Sequence, residues 1–131
     1  MSKEEQMGIL IKYCESTYRE KLKTAKILFN QKRYADCLFF CHLTLEMVLK
    51  GMYVKKHKKS FPVSHHLPTL IELCEVKLSE EMLNDIKEIN GFNIRARYDD
   101  YKRSFYEKAN LAYTKNFLNK TLKYIKWFKK F

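Results

Sequence analysis

The sequence predicts an all-α protein, an up-and-down helical bundle of about five helices forming one domain over residues 1–131. Three observations predict it. Only three Gly and two Pro interrupt the chain, which leaves little material for hairpins or long loops. Apolar residues recur at three- and four-residue steps near both ends of the chain, the spacing of one helix face. Between those stretches, the segment from Tyr34 to Tyr53 is apolar in nearly every helical direction. A hydrophobic share of 46% with 31% charged residues sets the chain apart from disordered sequences, and its length fits one core.

The first helix is expected from about Glu5 to Phe29, with Ile11, Cys14, Tyr18, Leu22, Ala25 and Phe29 as its apolar stripe. Lys12, Arg19, Lys23 and Lys26 fall on the other side, and Asn30 suits a left-handed terminator. From Tyr34 the second helix carries Leu38, Cys41, Leu45, Val48 and Met52 on one face. Phe39, Phe40, Leu43, Met47 and Leu49 cover much of the rest. A helix apolar all round must be buried all round, and so small a domain has little with which to cover it. Part of its surface is therefore expected to meet another chain.

A polar connection follows from Lys55 to Ser64, and a short helix is expected from Pro68 to Val76, where Pro suits the first turn. Ser79 caps a fourth helix, with Glu80 and Glu81 complementing its dipole, and Asn90-Gly91 reads as its stop. Phe92 to Tyr106 is irregular in pattern and dense in aromatic residues and arginines. The last helix is expected from about Glu107 to Lys129, with Leu111, Leu118, Leu122 and Ile125 as its stripe.

A net charge of +11 attracts polyanions such as RNA, DNA or acidic protein faces, although the lysines are spread along the chain. Lys55, Lys56, Lys58 and Lys59 form one tract at a helix end, where cations also complement the dipole. Uninterrupted apolar runs fall short of the ~20 residues that span a bilayer, so no membrane partner is expected. The start MSKEEQMG has no signal-peptide core. A cytoplasmic location is expected, with Cys14, Cys37, Cys41 and Cys74 as reduced, buried thiols. His42 points about 100° away from Cys41 on a helix, a poor fit to zinc, and no metal or cofactor is assigned.

Two groups of residues stand out. Glu46 is a carboxylate in an apolar helix, and Lys50 lies one turn on in the favourable orientation. Buried and unpaired it would cost several kcal/mol, so a structural polar network of Glu46, Lys50 and His66 is expected, with Arg95 or Arg97 as other partners. The second group is Arg95, Arg97, Tyr98, Asp99, Tyr101 and Arg103, together with Asp100. Guanidinium forks and tyrosine rings serve phosphate binding and base stacking, and equally a buried network or a protein interface.

The order of four elements resembles the HEPN domain (higher eukaryotes and prokaryotes nucleotide-binding) over roughly residues 15–127. They are TAKILFNQKRYADC, Thr24 to Cys37; Glu46-x-x-x-Lys50 within CHLTLEMVLKG; the His66-Leu67 step; and Asn93 to Tyr98, an Asn-x-x-Ala-Arg-Tyr element. The resemblance implies a homodimer, often paired with a minimal nucleotidyltransferase in a toxin–antitoxin-like module, with room for RNA or nucleotide as a further partner. Many relatives are metal-independent ribonucleases using Arg-x(4–6)-His. No histidine follows Arg95 or Arg97 in this chain, so the acid–base step has no obvious agent. Asp99 also stands where relatives frequently place proline. The expected function is a non-catalytic module that binds a nucleotidyltransferase. The alternatives are a degenerate ribonuclease using Arg95 or Arg97 with Tyr101 or Asp99, and a scaffold with no nucleic-acid role. The resemblance also implies that the nucleotidyltransferase modifies a tyrosine near the catalytic motif, for which Tyr98, Tyr101 and Tyr106 are the local candidates.

Overall fold

Ser2 starts the chain's first helix by accepting a hydrogen bond from the Glu5 backbone N–H, while its hydroxyl donates to the Glu5 carboxylate. A computed structural model describes the backbone of residues 1–131 and the side chains of all but residues 99 and 100. Among the described residues there are six helices and no strand: α1 (Lys3–Asn30), α2 (Tyr34–His57), α3 (Leu67–Leu73), α4 (Glu80–Arg95), α5 (Asp99–Lys108) and α6 (Leu111–Phe128). The all-α bundle follows the sequence expectation, with one helix more.

The turn from α1 to α2 uses Lys32, not Asn30, in the left-handed conformation at φ 60°. The two helices run antiparallel at close range, and a Cβ on Gly51 would stand 3.2 Å from the Cβ of Cys14. Helix α2 touches all five others, so it is the axis of the fold. By length and composition α2 is apolar enough to cross a membrane, which the expectation from uninterrupted runs missed. Most of it is buried inside the domain instead. From Tyr34 to Val54 none of its residues is fully exposed, and Phe39, Phe40, Leu43 and Met52 are half-buried. One chain therefore covers most of the helix, more than its all-round apolarity suggested.

Two departures occur where the sequence is richest in polar residues. Asn90-Gly91 does not stop α4. The Asn90 side-chain oxygen accepts from the Leu67 N–H and so caps the start of α3, and the helix continues to Arg95. The segment expected to be irregular holds the end of α4 and most of α5, and α6 starts later than Glu107, behind the cap Asn110. Phe105 holds α5 to the core. Its ring packs at 5.6 Å from Phe92, which in turn stacks edge-on against Phe117 of α6 at 5.4 Å. Burying such a ring contributes about 1.5–3 kcal/mol, a large share of what holds a ten-residue helix. All four cysteines are free and buried, as expected; burial pushes the Cys14 and Cys74 thiols up to about 11.

Lys55, Lys56 and His57, the first part of the basic tract at the end of α2, are tied down internally, while Lys58 and Lys59 are exposed. Lys56 donates to the Cys74 carbonyl and pairs with Glu75 at 3.0 Å, and Lys55 pairs with Glu15 at 3.1 Å. The ring of His57 lies 2.8 Å from the Leu73 carbonyl. Its charges close the bundle's end as much as they face solvent.

Candidate functional site

Glu46 lies in the middle of α2, 5% exposed, with Thr44 to Lys50 all buried around it. Its partner is Lys50, equally buried, whose Nζ donates to Oε2 at 2.8 Å and also lies 5.1 Å from the centre of the Phe61 ring. The second partner is His65, not the expected His66. Its Nδ1 is 3.0 Å from Oε1 and 3.1 Å from Oε2. His66 instead caps α3, accepting from the Thr69 N–H. Arg95 and Arg97, the other partners considered, do not reach Glu46.

The cluster gains a fourth member that the sequence did not single out. His42 is fully buried one turn before Glu46, and its Nε2 donates to the His65 carbonyl at 2.8 Å. That bond assigns the ring proton to Nε2 and leaves Nδ1 without a hydrogen-bond partner, 3.9 Å from the Glu46 carboxylate. Burial lowers the pKa of His42, against the pull of the His65 carbonyl and Glu46, so the ring is held neutral. The i, i+4 spacing of His42, Glu46 and Lys50 was visible in the sequence; the folding of the 58–66 loop back onto α2 was not.

Arg95 is likewise structural. Its Nη1 is 2.6 Å from Glu88 Oε1, an atom that also receives Lys108 at 3.1 Å and the Tyr113 hydroxyl at 2.7 Å. Burial opposes ionisation of Glu88, but the three donors outweigh it and hold the carboxyl down at about 2. The Tyr113 hydroxyl is pushed up, by burial first and then by its bond to Glu88. Glu88 thus joins α4 to both α5 and α6. One turn earlier Asp85 joins α4 to α6 alone, receiving Lys120 at 2.8 Å and a hydrogen bond from the buried Tyr124 hydroxyl.

The rest of the predicted group forms an exposed corner where α4 ends and α5 begins. Arg97 donates from Nε to the Asn93 carbonyl, which fixes its plane. Its guanidinium lies 6.0 Å from the Phe39 ring and 5.8 Å from the Tyr98 ring. Tyr98 is 56% exposed, and Ile94 and Tyr101 are similarly open. Arg103 extends into solvent, with Glu107 at 3.9 Å. Asp99 lies outside the described side chains. Phe39, one of the residues that make α2 apolar all round, is half-buried and carries the arginine. Leu43, on the same face of α2, is also half-buried. The corner therefore presents rings, aliphatic carbon and a fixed cation, a composition suited to protein contact or stacking.

The structure is similar to the crystal structure of TT1696 from Thermus thermophilus, with a TM-score of 0.77 at 16% identity, over 92% of this chain and 96% of that one. At that identity the likeness shows the fold alone. No curated protein matches the chain. The HEPN domain matches residues 19–130, a span that contains the Glu46 cluster, the Glu88 junction and the Arg97 corner. The chain belongs to the HEPN domain family.

Proposed function

We propose that this HEPN domain is a non-catalytic partner module. It forms a homodimer and binds a minimal nucleotidyltransferase in a toxin–antitoxin-like pair, with RNA or nucleotide as a further ligand. The observation that carries the reading is the corner of Phe39, Ile94, Arg97, Tyr98 and Tyr101, an aromatic and aliphatic surface left open beside α2. Exposed rings rimmed by arginines are what the core of a protein interface uses. Arg95 and Lys50, cations of the kind that read a ligand, are committed to Glu88 and Glu46. Arg97 and Arg103 stay open, and of the two Arg97 is the one held in a fixed plane against rings.

Co-expression with a minimal nucleotidyltransferase and affinity capture of the HEPN chain tests this. The two proteins are expected to co-purify, and Arg97→Ala to weaken capture at least about tenfold, as for a hot-spot arginine. Failure of the wild-type chain to retain the nucleotidyltransferase would overturn the partner reading.

A further inference from the structure

Residues 108–131 hold seven lysines and no acidic residue, so this last stretch carries +7 of the chain's net +11. Three of the seven are paired: Lys108 with Glu88, Lys120 with Asp85, and Lys129 with Glu15 at 3.6 Å. Among the described residues, Lys115, Lys123, Lys126 and Lys130 have no carboxylate within ion-pairing distance, and all four are exposed. With Asn119 they follow one another at steps of four, four, three and four residues. They therefore form one stripe along α6 that Lys130 extends just past its end. Neighbours in such a row stand about 5–6 Å apart.

Beside the C-terminal half of this stripe runs an open groove of about 710 Å³, between α6 and the start of α4. Lys123, Lys126, Trp127 and Lys130 line one wall; Ser79 and Glu81 lie on the other, where Glu81 is the single acid. Trp127 is partly exposed, and its ring is braced at 5.3 Å by Phe128 and at 4.8 Å by Phe131.

We propose that this stripe and groove bind single-stranded nucleic acid, with phosphates along the lysines and a base against Trp127. A row of cations beside a braced aromatic ring is the arrangement that tracks a flexible anionic backbone and stacks its bases. A membrane surface is less suited, because α6 has already spent its apolar face: Phe117, Leu118, Ile125 and Phe128 are buried. An acidic protein would meet the lysines but leave the indole without a role, and in a duplex the base is not free to stack. The assignment uses no residue of the Arg97 corner and is independent of the dimer and partner reading.

Trp127 is the chain's single tryptophan, so its fluorescence reports on this groove alone. The test titrates the full chain with a twelve-nucleotide oligouridine, following indole fluorescence and the anisotropy of labelled RNA at several salt concentrations. Quenching on binding is expected. A folded Lys123→Glu, Lys126→Glu, Lys130→Glu variant should bind roughly tenfold or more weakly, and Lys→Gln at the same positions should reduce the salt slope by about 2, from about 0.7 per phosphate contact. Lys26→Gln, an exposed lysine on α1, should bind like the wild type. Absence of quenching, undiminished binding by the charge-reversed variant, or equal effect of a blunt duplex or of polyglutamate would overturn the proposal.

Discussion

Arg95 folds back along α4 to place its guanidinium 2.6 Å from Glu88, lying directly over Gly91. A residue whose sequence context suggests ligand binding thereby braces, from within α4, the carboxylate that joins this helix to α5 and α6. Glu88 keeps Lys108 and Tyr113 when the arginine is lost, and the pair is about one-third exposed, so the loss is bounded. Arg95→Ala should lower stability by about 1–2 kcal/mol in urea unfolding, with no change in partner capture. Loss of capture by a folded Arg95→Ala protein would return it to the binding surface.

The same carboxylate sets a pH dependence. Its folded pKa, about 2, lies below the ordinary 4.5, so its contribution is complete above 4.5 and is lost as pH falls toward 2. After discounting for solvent exposure that contribution is about 1–2 kcal/mol. His42 acts in the same sense at higher pH. Burial depresses its pKa below 6.5, so the unfolded chain takes up the proton first and stability falls as pH drops through that value. Unfolding free energies measured from pH 7 to 3 should decline with acid, and Glu88→Gln should flatten the portion below 4.5. An unchanged slope in that variant would remove Glu88 from the account.

Gly91 leaves room that a side chain would fill. A Cβ there would stand 2.8 Å from Arg95 Nη2, the movable end of a flexible side chain. Gly91→Ala gains about 1 kcal/mol of helix propensity while pushing Arg95 off Glu88. Net stability should stay within about 1 kcal/mol of the wild type. The Glu88 pKa, followed by NMR titration, should rise. A Glu88 that still titrates near 2 would show that the guanidinium does not need the space.

Within α2, Glu46→Ala would leave Lys50 buried without its carboxylate, at a cost of about 3–5 kcal/mol. Replacing both, Glu46→Leu with Lys50→Met, should restore most of that loss, because an apolar pair fits a site whose neighbours are apolar. Equal destabilisation of the single and double variants in urea would mean that His65 and His42, not Lys50, set the requirement for Glu46.

The fold was legible where one face decides it. The stripes of α1 and α6 and the all-round apolarity of α2 placed these helices to within a few residues. The exceptions have local causes. Asn90 and Gly91 have the chemistry of a helix stop, yet one caps a different helix and the other accommodates a guanidinium from its own. Helix α5 has a weak sequence signature because, among its described residues, Phe105 is the one large buried anchor. Of the candidate site, Glu46 with Lys50 was readable from i, i+4 spacing. The bonds of His65 to Glu46 and of His42 to the His65 carbonyl, and the packing of Arg97 over Phe39, were not, since they depend on contacts distant in sequence.

The corner of Phe39, Ile94, Arg97, Tyr98 and Tyr101 is the centre of the functional reading, and the mass of the protein in solution tests it most directly. Sedimentation equilibrium at micromolar concentration should give twice the 15.9 kDa of one chain, and Ile94→Asp with Tyr98→Asp should return a folded single chain. A wild-type mass of 15.9 kDa at that concentration, or a dimer that survives both substitutions, would contradict it.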